Sequence, residues 1–384
     1  MLAIVNGKIF SPFPVEGVIL VEADKIAVVG PAEIPAGAQV IDAKGGWVLP
    51  GFIDAHTHLG VCEEIYHFEG DDTNEMTDPV TPQVRALDGV NPEDEGLRDA
   101  IAGGVTTVFT APGSGNVIGG TGLVMKTTGR VVDNMLVREP AGLKIAFGEN
   151  PKRVYGEDKK MPMTRMGTAA LLRESFVKAQ NYLEALEKGK EDPDELPERD
   201  LKMEPIVQVL KHEIPLRAHA HRADDIMTAV RIAREFKVDL VIEHCTEGHK
   251  VVEELLEAGV PAVVGPSLSN RAKVELKDLS FKTAGILARA GIKVALMTDH
   301  PVIPIQYLPV CAGLAVREGM SGEDALKALT INPAEILGVD HRVGSLAPGK
   351  DADIVIWSGS PLEVMSKPLL VMVEGEVAYK DDKF

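Results

Sequence analysis

The chain has 384 residues, of which 45% are hydrophobic and 26% charged, as is ordinary for a folded globular protein. It shows neither a run of ~20 apolar residues nor a basic segment ahead of an apolar stretch, which argues against a membrane helix and a signal peptide. A net charge of −18 without a basic patch argues against nucleic-acid binding. Three cysteines are too few for a disulfide framework: Cys62, Cys245 and Cys311. We expect a cytoplasmic protein that acts on a small molecule.

The first fifty residues alternate short apolar, β-branched segments with turn residues, which predicts strands at residues 3–9, 17–21 and 25–29. The last forty residues have the same character, with predicted strands at residues 353–357, 369–374 and 377–379. Two β-rich ends around a different middle indicate one small β-sandwich, built from residues 1–50 together with residues 340–384.

The middle of the chain, residues 51–339, alternates short apolar strands with helical stretches, which favours βα units and a parallel sheet. The length is close to the ~250 residues typical of a (β/α)8 barrel. The predicted strands are 51–55, 106–110, 143–147, 216–220, 240–244, 262–264 and 293–298. The predicted helices are 95–102, 224–236, 251–258, 281–290 and 322–330.

An insertion interrupts this alternation after the third predicted strand. Residues 169–188 have apolar side chains at helical spacing, and the acidic, proline-bearing residues 191–200 predict a loop. The helix is interpreted as one that packs on the protein surface, with a lid or a dimer contact as the alternative.

The strongest local motif is His56-Thr57-His58, which ends an apolar strand. Because residues two apart in a strand point to the same side, both imidazoles are able to reach one ion. A pair of buried histidines with satisfied hydrogen bonds is the ordinary alternative.

Three further predicted strands end in the same kinds of side chain. His219 and His221 end one, His244 ends the next, and Asp299 ends the last. All strand ends of a parallel barrel open on one face, and imidazole and carboxylate groups are the ligands that Zn²⁺ prefers. Unrelated buried histidines explain any one of these positions, but poorly explain all of them in this order.

The order of these motifs resembles the amidohydrolase superfamily. Asn6-Gly7-Lys8-Ile9 resembles its amino-terminal strands, and residues 344–355 resemble its carboxy-terminal return. The resemblance covers nearly the whole chain and is nearest to the imidazolonepropionase-related branch, including its dipeptidase-like members. It implies a (β/α)8 barrel with a small β-sandwich from both termini, and one or two divalent ions, with Zn²⁺ expected.

The resemblance also implies roles for individual residues. The implied ion ligands are His56, His58, His219, His244 and Asp299. Asp299 is expected to transfer protons, and His244 or His221 to polarise the carbonyl. His221 lies farther out on the strand than His219, so it is assigned to substrate contact, with ion binding as the alternative.

A two-ion site needs a bridging acidic ligand, for which relatives use either a glutamate or a carbamylated lysine. We favour Glu149, at an apparent strand end, over Lys144, which lies deeper on the same strand. Glu243 and Asp54 adjoin expected ligands in sequence but are expected to point away from them.

The substrate pocket is harder to predict. Residues 113–122 are rich in glycine and are interpreted either as a pocket-lining loop that offers backbone N–H groups or as a flexible loop. Lys126, Arg153 and Arg222 are the candidates for binding a substrate carboxylate, with a surface role as the default.

The predicted activity is metal-dependent hydrolysis of an amide, lactam or peptide-like C–N bond. Deamination is disfavoured because Arg222 and Asp224 stand three residues after His219 and His221, where deaminases carry glutamate. Imidazolonepropionase activity is an alternative, although residues 218–222 lack the expected acidic side chains. A non-catalytic scaffold is disfavoured by the intact ligand set, and a homo-oligomer is expected.

Overall fold

The fold is taken from a computed structural model, which describes residues 1–11 and 13–384. The strands in chain order are β1 (Leu2–Val5), β2 (Lys8–Phe10), β3 (Pro14–Val15), β4 (Val18–Glu22), β5 (Lys25–Gly30), β6 (Gln39–Asp42), β7 (Trp47–Pro50), β8 (Phe52–Thr57), β9 (Val105–Thr110), β10 (Ile118–Lys126), β11 (Leu136–Ala146), β12 (Leu216–Ala220), β13 (Leu240–His244), β14 (Ala262–Val264), β15 (Val294–Leu296), β16 (Ile354–Trp357), β17 (Pro368–Val373) and β18 (Glu376–Lys380).

Helices α1 to α7 lie between barrel strands in the sequence, and α8 to α10 follow the last barrel strand. They are α1 (Glu95–Ala102), α2 (Glu149–Glu157), α3 (Arg165–Glu191), α4 (Met203–Leu210), α5 (Ala223–Phe236), α6 (Val252–Ala258), α7 (Lys282–Arg289), α8 (Leu308–Arg317), α9 (Gly322–Lys327) and α10 (Ile331–Leu337).

Strands β8 to β15 form one eight-stranded sheet in sequence order. This confirms the predicted barrel, but β10 runs antiparallel to both β9 and β11. The prediction of a loop over residues 113–122 was wrong from Ile118 onward, because β10 begins there. Its glycines permit close packing: a Cβ on Gly122 would lie 2.5 Å from the Phe109 ring.

The barrel closes between β15 and β8 through contacts beyond the strand ladders. The backbone N–H of His58 donates to the carbonyl of His300 at 2.9 Å. The Asp54 carboxylate accepts from the Thr298 backbone N–H at 2.9 Å and from the Thr298 hydroxyl at 2.6 Å. Asp54 therefore fixes the strand that carries the His56-Thr57-His58 motif against the strand that leads to Asp299.

Two further sheets are built from the termini. The first contains β5, β4, β1 and β6, and the second combines β18, β17, β16, β7, β2 and β3 from both ends of the chain. Their buried faces share one apolar cluster, which includes Ile4, Ile19, Ile354 and Met372. Predicted terminal sheets of this kind are therefore present, and β7 ends at Pro50 just before the first barrel strand.

The insertion forms the long helix α3, which packs against α4 and α5 on the outside of the barrel. Leu172, Phe176 and Ala179 are buried, and the Phe176 ring lies 4.8 Å from the Phe236 ring of α5. This packing agrees with the interpretation of a surface-packed helix. Among the described residues, no helix combines the length and apolar character needed to cross a membrane.

Candidate metal centre

Six side chains from four strand ends meet at the carboxy-terminal mouth of the barrel. They form two groups of possible ion ligands, His56, His58 and Asp299 in the first and His219, His221 and His244 in the second. The ring centroids of His56 and His244 are 5.4 Å apart, so the groups adjoin. The structure thus brings together the five implied ligands and adds His221 to them.

The backbone at two of these positions departs from regular strand geometry. His244 has a φ of +69° and Asp299 a φ of +54°, in the left-handed region that costs a non-glycine residue roughly 1–3 kcal/mol. The turn at His244 breaks the side-chain alternation of β13. As a result, both Glu243 and His244 lie against the cluster.

The expectation that Glu243 points away from the ligands is therefore wrong. Its carboxylate Oε1 lies 3.0 Å from Nδ1 of His56 and accepts from Nε of Arg217 at 2.8 Å. It also accepts from Nζ of Lys144. A carboxylate beside the far nitrogen of a ligating histidine orients the ring and raises its basicity. Glu243 occupies that position beside His56, although the Nδ1–carboxylate contact is not aligned as a hydrogen bond.

Three other imidazoles of the cluster are held by hydrogen bonds at Nδ1. Nδ1 of His58 contacts the Ala111 carbonyl oxygen at 2.8 Å, and Nδ1 of His244 contacts that of Gly265 at 3.1 Å. Nδ1 of His221 is hydrogen-bonded to the Thr246 hydroxyl at 2.8 Å. Each of these contacts leaves Nε2 as the nitrogen that is available to an ion.

The electrostatics keep the second group neutral. Burial lowers the pKa of His219, with further lowering by His244 and His221. Burial likewise lowers the pKa of His244, and it lowers the pKa of His221 to about 3. Metal ligation requires neutral imidazole, so these histidines are in the correct protonation state at physiological pH.

The carboxylate of the first group is ionised. Burial alone would raise the pKa of Asp299, but His244, His56 and His58 outweigh it and hold the pKa well below its usual range. Its Oδ1 lies 3.1 Å from Nε2 of His56 and 3.4 Å from Nε2 of His58. A negative oxygen and two imidazole nitrogens thus converge on one point.

The donor set fits a divalent cation. Nε2 of His219 and Oδ1 of Asp299 are buried without a hydrogen-bond partner among the described residues. Leaving a buried polar atom unpaired costs ~1–3 kcal/mol, a cost that a bound ion would remove. Nitrogen and carboxylate ligands suit Zn²⁺ and related ions.

Of the two candidates for a bridging ligand, only Lys144 reaches the cavity. Lys144 is buried in the cavity wall and pairs with Glu243. Glu149 begins helix α2, half-buried, and its backbone N–H donates to Oε2 of Glu275 at 3.0 Å. Gly148, with a φ of +83°, turns the chain into the helix, and Glu149 does not line the cavity.

The three cations predicted to hold a substrate carboxylate do not line the cavity. Lys126 is buried at the other end of β10, and Arg153 is exposed on α2. Arg222 precedes α5 and donates to Asp224 at 2.9 Å. Because β10 runs antiparallel, its last residue lies at the amino-terminal end of the barrel, away from the mouth.

The cavity at the barrel mouth has a volume of about 420 Å³ and contains the ligand cluster in its wall. Its polar wall includes Ser114, Asn150 and Lys273, of which only Ser114 lies in a segment that was predicted to line the pocket. Asn150 immediately follows Glu149, but no sequence signal marked Lys273, which lies in an irregular loop after β14.

The glycine-rich segment lines this cavity only in part, through Gly113 and Ser114. The backbone N–H of Gly113 donates to the Thr73 carbonyl at 2.7 Å, and that of Gly115 donates to Oδ1 of Asn74 at 2.7 Å. These two N–H groups are therefore used within the chain and do not support the prediction that they bind substrate.

Comparisons with known proteins agree with this geometry. Residues 178–378, just over half of the chain, match the amidohydrolase family. The amidohydrolase tasK of Hapsidospora irregularis is 31% identical over 373 residues, which are 91% of this chain but only 38% of that protein. An imidazolonepropionase of Cupriavidus taiwanensis is 26% identical over 389 residues, covering 91% of this chain and 86% of that one.

A solved structure extends the agreement to the whole chain. The crystal structure of an amidohydrolase from Thermotoga maritima MSB8 has a TM-score of 0.97 and 48% identity, covering 99% of this chain and 100% of that one. A 5-methylcytosine deaminase from Klebsiella pneumoniae, at 13% identity and a TM-score of 0.59, shares the fold. The chain therefore belongs to the amidohydrolase family of hydrolases.

Proposed function

We propose that the protein is a metal-dependent hydrolase that cleaves an amide, lactam or peptide-like C–N bond of a small molecule. The observation that carries the proposal is the convergence of five imidazoles and Asp299 in one cavity. Membership of the amidohydrolase family supports hydrolysis as the reaction class. The two ligand groups favour two divalent ions, with zinc as the proposed metal.

The proposed roles follow from the geometry. His56, His58 and Asp299 would hold one ion, and His219, His221 and His244 the other, with Lys144 beside both. When bound, a divalent ion supplies Lewis acidity and lowers the pKa of bound water toward ~7. His244 or His221 was predicted to polarise the substrate carbonyl. Their place in the three-histidine group agrees with the prediction that His244 is an ion ligand and favours the alternative that His221 also binds an ion.

Asp299 is the proposed proton-transfer group. Its Oδ1 is buried and lies 3.1 Å from Nε2 of His56 and 3.4 Å from Nε2 of His58, so Oδ2 is the proposed proton acceptor. The side chain lines the cavity, so Oδ2 is able to accept a proton from the attacking water. The same oxygen then donates that proton to the leaving nitrogen, first as general base and then as general acid.

Chelation tests the proposal directly. Hydrolysis of a panel of N-acyl amino acids, lactams and dipeptides is measured before and after removal of metal, and again after Zn²⁺ is added back. We expect activity to vanish on chelation and to return with zinc. Full activity in metal-free protein would contradict the proposal.

A matched pair of variants distinguishes loss of an ion ligand from a general effect of changing a histidine. His219→Asn removes a buried ligand, whereas His212→Asn changes a surface histidine that pairs with Asp239. We expect stoichiometric zinc and turnover to be lost only in the first. A folded His219→Asn variant with unchanged zinc content would remove this residue from the site.

Imidazolonepropionase activity is the second candidate. Relatives with that name align over most of the chain at 24–27% identity, which favours ring-opening hydrolysis of a lactam-like bond. Opening of imidazolonepropionate tests this candidate, and ammonia release from amino-heterocycles tests the less favoured deamination. Stoichiometric zinc without turnover of any of these compounds would support neither imidazolonepropionase nor deaminase activity. It would favour the alternative that the protein is a non-catalytic scaffold.

A further inference from the structure

One wall of the cavity carries polar side chains that play no part in holding an ion. Nζ of Lys273 donates to Oδ1 of Asn150 at 2.8 Å, and Nδ2 of Asn150 donates to the Ser114 hydroxyl at 2.8 Å. All three line the cavity that contains the ligand cluster. They form a connected row of donors, and we call Lys273, Asn150 and Ser114 the donor wall.

Lys273 carries the charge of the donor wall. Its side chain is only 27% exposed, and its one carboxylate neighbour among the described residues is Glu275, with Oε1 at 3.4 Å. The lysine ammonium has three N–H donors, and the described residues provide acceptors for two of them. One donor therefore remains for an acceptor that enters the cavity.

The other lysine of the cavity wall already has a carboxylate partner, and the remaining charged groups there, apart from the histidines, are acidic. Lys144 pairs with Glu243 inside the barrel. Asp299 faces His56 and His58, and Asp71, near the entrance, accepts from the Thr73 hydroxyl. Lys273 is therefore the cation that an incoming anion meets in this cavity.

The ammonium also lies close to the ion ligands. The Glu275 side chain is only 2% exposed. Its Oε1 is 3.4 Å from Nζ of Lys273 and 3.8 Å from Nε2 of His221. The donor wall and the three-histidine group are thus separated by a single carboxylate. A molecule that spans them has its anionic group only a few bonds from the group that reaches the ions.

We propose that Lys273 and the Ser114 hydroxyl bind a carboxylate of the substrate, and that Asn150 holds both donors in place. This proposal rests on the proposed hydrolase function, and it narrows the substrate class to small molecules in which a carboxylate stands close to the scissile C–N bond. N-acyl α-amino acids and short peptides with a free carboxyl terminus have this arrangement.

The test compares each carboxylate with its primary amide on the zinc-loaded protein. The probes are N-acetyl-L-alanine, L-pyroglutamate and L-alanyl-L-alanine, each with its carboxamide. Calorimetry gives Kd, and kcat/KM is measured wherever a probe is hydrolysed. We expect at least one acid to bind about tenfold more tightly than its amide, because a charge-assisted hydrogen bond to the ammonium is lost in the amide.

Substitutions assign the preference to Lys273. Lys273→Met is expected to reduce the acid-to-amide ratio to about 1, and Lys273→Arg to keep most of it. Lys277→Met removes an exposed lysine four residues along the same loop and is expected to leave the ratio unchanged. Lack of any acid preference in the unaltered protein, or a preference that survives in Lys273→Met, overturns the proposal.

The two proposals fail in different ways. If acids bind in preference to amides but no probe of either kind is hydrolysed with any divalent metal, the carboxylate site stands and the hydrolase function fails. If neutral amides are hydrolysed in a metal-dependent way with no preference for acids, the hydrolase function stands and the carboxylate site fails.

Discussion

The barrel has a cluster of buried polar groups at each end, and the two clusters differ in how their hydrogen bonds and charges are satisfied. At the mouth, Nε2 of His219 and Oδ1 of Asp299 have no partner within the described part of the chain. At the opposite end, Lys126 lies 2.7 Å from Oδ2 of Asp353 and 2.9 Å from Oδ2 of Asp351. The first cluster leaves buried polar atoms without partners, whereas the charges of the second are paired within the chain.

The second cluster joins separate parts of the fold, and we call Lys126, Asp351, Asp353, Arg342 and Lys25 the basal ionic cluster. Arg342 donates to Oδ2 of Asp351 at 2.9 Å, and Lys25 donates to Oδ1 at 2.5 Å. These contacts connect the last residue of β10 to the carboxy-terminal return and to β5 of the first terminal sheet. Buried charges that pair with one another thus indicate a cluster that stabilises the fold by connecting its parts. Buried polar atoms without partners indicate a binding site.

The largest effect is expected from Asp299→Asn, which keeps the size of the side chain but removes its negative charge and its basicity. Turnover should fall by about 10²–10⁴, the range associated with general acid–base catalysis. Zinc content, measured by elemental analysis, should be largely retained. Asp340→Asn, an exposed position, is the control, and unchanged turnover in Asp299→Asn would remove its proposed role.

Lys126→Met tests the basal ionic cluster. The change leaves buried carboxylates short of a partner, so the free energy of unfolding should fall by about 3–5 kcal/mol. The zinc content and KM of the folded fraction should not change, because Lys126 lies at the other end of the barrel. A raised KM with unchanged stability would instead support the original prediction that Lys126 binds substrate. Denaturant unfolding and steady-state kinetics give the two readouts.

Glu243→Gln tests whether the Glu243 carboxylate orients His56, a proposed ion ligand. The amide keeps a hydrogen-bonding group near Nδ1 of His56 but removes the charge that fixes the ring, and it leaves Arg217 and Lys144 without their carboxylate. Zinc affinity should fall by about 10–100-fold, as is usual when such a partner is changed. Competition with a chelator of known affinity measures the loss, and Glu253→Gln, on the outer helix α6, serves as control. Equal zinc affinity in both variants would argue against the positioning role.

A smaller effect is expected on the free energy of unfolding when the pH is lowered. Burial alone would raise the pKa of Asp351, but Lys126 and hydrogen bonds from Lys25, Lys126 and Arg342 lower it to about 2. The folded pKa is below the unfolded value of 3.8, so Asp351 contributes stability above pH ~4 that is lost as the pH falls toward 2. The contribution is about 2 kcal/mol at ~1.4 kcal/mol per pKa unit.

Asp351→Asn isolates this contribution from the other carboxylates. The difference in unfolding free energy between the unaltered protein and the variant should be largest near pH 6 and should shrink between pH ~4 and ~2. Urea unfolding at a series of pH values measures it. A difference that stays constant with pH would show that Asp351 stabilises the fold by packing and not by its charge.

Much of the fold follows from local patterns. The predicted strands 216–220, 240–244 and 262–264 coincide with β12, β13 and β14, and the predicted helix 95–102 with α1. Short apolar runs and helical spacing are local patterns in the sequence. They predict strands and helices without knowledge of the tertiary structure. Strand β10 was missed because glycines weaken a strand pattern, and they are explained only by packed neighbours such as the Phe109 ring beside Gly122 and the Val84 backbone beside Gly120.

The candidate site divides in the same way. The sequence by itself determined that His56, His58, His219, His244 and Asp299 end barrel strands, because each follows an apolar segment and all such ends share one face. Only the tertiary structure decided that His221 lies with the possible ion ligands, that Glu243 lies beside His56 and that Lys273, not Lys126, lines the cavity. The physical reason is that a left-handed residue, an antiparallel strand or an irregular loop redirects a side chain without leaving a periodic signal, so its partners are known only once distant segments are packed together.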